Sequence, residues 1–292
     1  MLNNIKIIFI KVPKIDHLNF NKYERFFSFG CSMTDYFWPT WADVIGLHIP
    51  KYYNFGSPGA GNAFISNQVA EMNQRFHFNN KDLIIVMWTT VNREDRYINR
   101  KWQCCGNIYN SIHDGLYDLQ YIKNYVDYRG FLIRDLGLIS LTFNFLNYID
   151  SDFLMLSHMP IIKKTTNCHS YNSLDDVVLD TSDVLDLYKD LLNEIEPDFL
   201  TVQYNSTTWP GVKIKKNDCG RYRYKYDLHP PPIDHVSYLT KIIPNLKVSE
   251  KVFNFIQQED LKIRTFERTN FLYDLNSPEM QWKKMSKSYV SL

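Results

Sequence analysis

The chain of 292 residues lacks any apolar run approaching the ~20 residues that a membrane-spanning helix requires. Its amino-terminal segment reaches only four consecutive apolar residues, Ile7-Ile8-Phe9-Ile10, too few for the core of a signal peptide. Charge of one sign is lacking too. Lysine plus arginine (33) nearly cancels aspartate plus glutamate (32), leaving a formal charge of +1, which argues against a dedicated nucleic-acid binder with its basic footprint. Cysteine is sparse: Cys31, Cys104, Cys105, Cys168 and Cys219 make an odd count with no Cys-x-x-Cys. Neither a zinc site nor a disulfide framework is indicated, and a reducing compartment, the cytoplasm, is the expected setting. Internal repeats and low-complexity segments are absent, and no membrane or nucleic-acid partner is expected.

What the chain has is enough apolar material for one substantial core. Hydrophobic residues make up 45% and aromatics 15%, with 20 Tyr and 19 Phe, and α/β domains of this size are common. Strand signals fall at 26–29, 52–55, 83–88, 153–157 and 199–203. Between them, Ile65, Val69, Met72 and Phe76 recur at helical spacing, predicting an amphipathic helix over 60–77. Val184, Leu185, Tyr188, Leu191, Leu192 and Ile195 do the same over 182–195, closed by Pro197. Segment 121–149 is apolar on most sides and reads as a long helix buried against a sheet. Alternating strands and helices imply a mostly parallel sheet covered on both faces, a three-layer α/β/α sandwich. Segments 93–120 and 159–181 lack periodicity and read as insertions that shape a binding site. The expected organisation is one α/β domain over 1–260, with a polar extension over 261–292 packing on that domain or on a partner.

Four short blocks carry chemistry. The apolar run Phe27-Ser28-Phe29 stops at Gly30-Cys31-Ser32, which places a hydroxyl at the carboxyl end of a strand, where open α/β sheets hold their ligands. Asn54-Phe55-Gly56-Ser57-Pro58-Gly59-Ala60-Gly61-Asn62 is a glycine-rich turn between strand and helix. The buried strand over 83–88 ends in Thr89-Thr90-Val91-Asn92. Late in the chain, Asp227-Leu228-His229-Pro230 sets a carboxylate and an imidazole side by side. Ser32 read alone serves equally as a helix cap; His229, as a loop histidine.

In that order the blocks resemble the SGNH (GDSL-type) hydrolases, esterases and deacetylases on a flavodoxin-like sheet. Gly30-Cys31-Ser32-Met33-Thr34 stands where the family has Gly-Asp-Ser-x-x, cysteine replacing aspartate. Asn54, Gly56 and Gly59 match the second block. The third block, usually Gly-x-Asn-Asp, is here Trp88-Thr89-Thr90-Val91-Asn92, with Thr90 at the asparagine position and Asn92 two residues later. The last block is Asp-x-His rather than Asp-x-x-His, which puts Tyr226 at the usual acid position. The resemblance implies Ser32 as nucleophile rather than the adjacent Cys31, His229 rather than His235 as base, and Asp227 as the acid that orients it. It implies an oxyanion hole from the backbone of Ser32 and Gly59 with Thr90 or Asn92, and no metal or organic cofactor.

The chemistry needs these residue types. A serine hydroxyl becomes nucleophilic only when an imidazole takes its proton; an acid then fixes the tautomer of that imidazole. Negative charge growing on the carbonyl oxygen needs preorganised N–H donors, each worth ~3 kcal/mol of barrier. The expected activity is hydrolysis of a small acyl ester, most simply O-acetyl on a carbohydrate, with Trp38, Trp41, Trp88, Trp102 and Trp209 near the site loops and Trp41 and Trp88 assigned to the core. The basic stretches 213–216 and 221–225 read as a solvated loop face or a seat for an anionic sugar or acyl carrier. The alternatives are a non-catalytic carbohydrate-binding or assembly protein on the same fold, and an acyltransferase.

Overall fold

The computed structural model describes residues 19–108, 117–161, 174–206, 209–218, 221–244 and 246–265. Its centre is a four-stranded parallel sheet of β1 (Arg25–Gly30), β2 (Lys51–Gly56), β3 (Asp82–Trp88) and β6 (Asp152–Ser157), in the order β2-β1-β3-β6. Every residue of β3 is buried, as a strand covered on both faces must be. Aromatic pairs lock the register of β1 on β2: Phe26 stacks on Tyr52 and Phe27 on Tyr53 at 5.0 Å, and Phe29 on Phe55 at 5.4 Å. Contacts of this kind between directly opposed residues are the unit of sheet stabilisation. At the other end of the sheet, Arg25 grips the fully buried Asp82 through two bonds of 2.6 Å, a bidentate charge-assisted pair.

Helices α1 (Trp41–Gly46), α2 (Asn62–Phe76), α3 (Leu119–Tyr125), α4 (Tyr128–Tyr148), α5 (Leu174–Leu187), α6 (Lys189–Asn193), α7 (Phe199–Tyr204), α8 (Pro232–Ile242) and α9 (Glu250–Arg264) complete the layers. They form two groups: α2 packs on α4 and α4 on α5, while α1, α7 and α9 gather around α8. The strand order reverses direction between β1 and β3, and the crevice beyond the carboxyl ends of such strands is where α/β sheets place ligands. No helix among the described residues is long and apolar enough to cross a membrane.

Three sequence expectations are corrected. The segment 199–203, expected as a strand, is helix α7. Its apolar run follows Pro197-Asp198, and the Asp198 carboxylate accepts the Thr201 N–H at 2.9 Å, an N-cap that outweighs β propensity. Segment 93–120, expected to be irregular, opens as an antiparallel hairpin of β4 (Arg93–Ile98) and β5 (Lys101–Asn107). Its two-residue turn is Asn99-Arg100, with φ of 52° and 64°; the residue pair that usually announces such a turn, Asn-Gly, is missing. The basic stretch after Trp209 is likewise a hairpin, of β7 (Val212–Asp218) and β8 (Arg221–Asp227), rather than a loop.

Boundaries also move. The long helix expected over 121–149 is α3 followed by α4, divided by the α4 cap at Asp127, whose side chain accepts the Arg129 and Gly130 N–H groups. The helix expected over 182–195 is α5 and α6, parted at Tyr188. Helix α9 runs through residue 261 to Arg264. The insertion expected over 159–181 lies partly outside the described residues, and α5 begins within it at Leu174. The extension beyond residue 265 lies outside them altogether.

Candidate functional site

β1 ends at Gly30, and Ser32 follows in a tight turn in which Thr34 and Asp35 both donate to the Cys31 carbonyl. A methyl group on Gly30 would sit 2.1 Å from Thr34 Oγ1, so the turn closes only over a bare backbone. The Thr34 carbonyl is held from two sides, by Thr40 Oγ1 at 2.7 Å and by Asn54 Nδ2 at 2.9 Å. Asn54 also accepts the Gly56 N–H at 2.9 Å, which ties the end of β2 to the turn that presents Ser32. Cys31, beside it, points into the core and is wholly buried.

The partners of Ser32 arrive from nearly two hundred residues away. Hairpin β7–β8 delivers Asp227 at its last strand position, and Pro230-Pro231-Pro232 leads from His229 into α8. His229 Nε2 lies 2.8 Å from Ser32 Oγ, and His229 Nδ1 lies 2.7 Å from Asp227 Oδ1. The same carboxylate oxygen accepts the backbone N–H of His229 at 2.9 Å. The shortened Asp-x-His spacing therefore works as a local turn: one oxygen meets both donors of the residue two positions on. The second oxygen, Oδ2, accepts the hydroxyl of Tyr36 at 2.5 Å.

Burial opposes the charge on Asp227, yet the bonds from the His229 ring, Tyr36 and the His229 N–H outweigh it and hold its pKa below the ordinary carboxylate value. The Tyr36 phenol is raised, by burial first and then by its bond to Asp227, so it remains a donor. His235, in the first turn of α8, is buried against Phe199 at 4.9 Å. Burial, then the nearby His229, brings its pKa down to about 3. It is a neutral core histidine.

Three unpaired donors stand at the same end of three neighbouring strands. Ser32 follows β1; Gly59 follows β2; Asn92 follows β3. Among the described residues no acceptor takes the backbone N–H of Ser32 or Gly59, and both polar atoms of the buried Asn92 side chain lack a partner. Thr90 lies on the same segment and is buried. The segment is fixed upstream by Asn62, whose amide bonds both the N–H (2.9 Å) and the carbonyl (3.0 Å) of Thr89, and by the Ile108 N–H on the Asn92 carbonyl.

The glycine turn is pinned by the β4–β5 hairpin, which sequence reasoning missed. Gly59 has φ of +80°, and its carbonyl accepts the Gly106 N–H at 2.8 Å. Arg93 Nη1 bonds the Ala60 carbonyl at 2.8 Å. Asp95 receives the N–H groups of Gly61 and Phe64, both at 2.9 Å. Helix α2 has glycine at its N-cap, so the capping carboxylate comes from the hairpin instead of from the chain just before the helix. Burial pushes the Asp95 pKa up, against those backbone bonds.

The five tryptophans near the site loops divide, with Trp41 and Trp88 in the core as expected. Trp38, Trp41 and Trp88 are wholly buried, while Trp102 and Trp209 are only partly so. Trp38 serves the site from within, its Nε1–H donating 2.7 Å to the Pro230 carbonyl. Exposed apolar side chains beside the triad are instead Phe37 and Leu228. Among the described residues no cluster of side chains could hold a metal ion.

No protein-family model and no curated protein matches the chain. Solved structures do. A member of the lipolytic G-D-S-L family from Veillonella parvula aligns with 76% of this chain and 99% of its own, at 16% identity and a TM-score of 0.36. A GDSL-like lipase from Bacteroides thetaiotaomicron aligns over 82% and 90%, at 12% identity and a TM-score of 0.39.

Proposed function

We propose that this chain is a serine ester hydrolase of the SGNH type, cleaving a small acyl ester such as O-acetyl on a carbohydrate. One observation carries the reading: the continuous relay Ser32 Oγ to His229 Nε2 at 2.8 Å and His229 Nδ1 to Asp227 Oδ1 at 2.7 Å, built from segments 197 positions apart. In this reading His229 Nε2 takes the proton of Ser32 as Oγ attacks the ester carbonyl, and Asp227 stabilises the imidazolium that forms. The imidazolium then protonates the departing alkoxide, leaving an acyl group on Ser32. Water enters by the reverse sequence, giving up its proton to His229.

The oxyanion is assigned to the backbone N–H groups of Ser32 and Gly59 and to the side-chain amide of Asn92. Asn92 is preferred to Thr90 because a buried amide with neither atom paired costs roughly 1–3 kcal/mol per group, and a carbonyl oxygen arriving in the site would satisfy its N–H. The non-catalytic alternative has no such support: a site released from catalysis has no need of a completed acid–imidazole–hydroxyl relay.

The test is turnover of p-nitrophenyl acetate by the full chain and by Ser32→Ala and His229→Ala. Loss of ~10³-fold or more in kcat in both variants is expected. Equal turnover in the wild type and Ser32→Ala would refute the assignment. Acetylated sugar formed when an acceptor is added would move the reading from hydrolysis to acyl transfer.

A further inference from the structure

We infer that Tyr36 is a positioning residue that clamps the acid and the base of this relay together, standing in for the geometry lost with the shortened Asp-x-His spacing. The inference rests on the hydrolase reading above and adds a residue that the four sequence blocks do not contain.

Tyr36 touches both groups at once. Its hydroxyl donates to Asp227 Oδ2 at 2.5 Å, and its ring lies over the His229 imidazole with centroids 3.7 Å apart and planes 22° from parallel. Asp227 Oδ1 is already taken by two donors from His229. A carboxylate held through one oxygen can still swing about its Cβ–Cγ bond, and the Tyr36 hydroxyl is the contact that stops this rotation from the opposite side.

The ring does a second job. The imidazole gains a proton during attack, and an aromatic face within ~6 Å attracts a cation. The tyrosine is also tied to the nucleophile, since it sits four residues after Ser32 and directly follows the turn that closes at Asp35. Its own position is fixed by Trp38, whose ring meets Tyr36 edge-on at 4.7 Å while its Nε1–H holds the Pro230 carbonyl beside His229. Nucleophile turn, acid and base thus form one braced unit with Tyr36 at the centre.

Tyr36→Phe removes the hydroxyl and keeps the ring; Tyr36→Leu removes both. With p-nitrophenyl acetate we expect Tyr36→Phe to lower kcat about tenfold, the scale of a charge-assisted hydrogen bond, with KM within about twofold of wild type. Tyr36→Leu falls further. The second readout is the proton NMR resonance of the His229 Nδ1–H, identified by its loss in His229→Ala. It shifts in Tyr36→Phe and broadens into solvent exchange in Tyr36→Leu.

A kcat in Tyr36→Phe equal to that of wild type, or an Nδ1–H resonance identical in wild type and Tyr36→Leu, overturns the inference. A wild type without turnover sinks the hydrolase reading alone, because the resonance reports the clamp without catalysis. Circular dichroism checks folding. If Tyr36→Leu unfolds, Tyr36→Phe decides by the same two readouts: an unchanged kcat or resonance overturns the clamp.

Discussion

Replacing Gly59 by alanine separates the role of its turn from the general cost of strained backbone. At Gly59 φ is +80°, and a Cβ would meet the Cys104 carbonyl oxygen at 2.6 Å and the Gly106 nitrogen at 3.1 Å. The left-handed conformation alone costs alanine ~1–2 kcal/mol. The contact with Cys104 is with backbone and cannot be relieved by a rotamer change, so the turn and the hairpin must part. That sacrifices the Gly106–Gly59 hydrogen bond, worth ~1 kcal/mol net. Gly59→Ala is therefore expected to lose about 2–4 kcal/mol of stability, a fall in Tm of roughly 3–7 °C for a chain of this length.

The catalytic effect is separate and of similar size. On the proposed assignment of the Gly59 N–H to the oxyanion, moving it out of line removes one donor, about 3 kcal/mol of barrier, or ~10² in kcat. Gly106→Ala is the control: its φ is +70°, but a Cβ there meets nothing within 4 Å. It should lose ~1–2 kcal/mol of stability from strain and less than about threefold in kcat. Steady-state kinetics with p-nitrophenyl acetate and thermal unfolding of the two variants read both effects. If Gly59→Ala keeps wild-type kcat, or if Gly106→Ala loses as much, the N–H of Gly59 is no oxyanion donor and the reasoning fails.

Other perturbations have defined outcomes. Asp227→Asn should lower kcat by about 10³-fold or more by favouring the wrong imidazole tautomer, with KM nearly unchanged; a loss under tenfold would place the orienting group elsewhere. Asp95→Ala removes the cap of α2 and should cost about 1–2 kcal/mol in urea unfolding; an unchanged midpoint would show that the bonds to Gly61 and Phe64 contribute nothing net. Burial lifts the Asp135 pKa to about 6, against the neighbouring Arg134 and Asn62. At Arg134 the balance is opposite: Asp135 and Glu94 outweigh burial and raise it. A carboxyl raised from 3.8 to about 6 gives its full stabilising contribution below pH ~4 and loses it as pH rises through 6. Asp135→Asn should therefore gain on wild type by up to roughly 3 kcal/mol between pH 4 and pH 7, read by urea unfolding at the two ends; a constant difference would refute the charge-burial account.

The sequence was most legible where local pattern and final environment agree. The strands over 26–29, 52–55, 83–88 and 153–157 are apolar runs that end in a central sheet, and their burial is the same fact in two forms. The run over 199–203 misled because composition was read without its start signal, Pro197-Asp198. The two hairpins were hidden for a different reason. β4 and β5 carry polar and charged residues on strands that are only partly buried, and Asn99-Arg100 adopts left-handed backbone without the glycine that normally marks such a turn.

For the candidate site, the blocks singled out Ser32, His229 and Asp227, which the structure brings within hydrogen-bond distance, although the relay that joins them depends on a fold no local window contains. Tyr36 and Asp95 were not readable. Neither sits in a motif, and each acquires its role from partners 191 and 34 residues away. Asn92 and Thr90 stayed level in sequence; only the unpaired state of the buried Asn92 amide separates them.

The most direct measurement is covalent labelling of the full chain with a fluorophosphonate, with the modified peptide located by mass spectrometry. The account predicts one adduct, on Ser32, formed by the wild type and absent in Ser32→Ala, with labelling of His229→Ala slowed by at least about a hundredfold. An adduct on any other residue, or labelling of Ser32 that proceeds unchanged without His229, would contradict it.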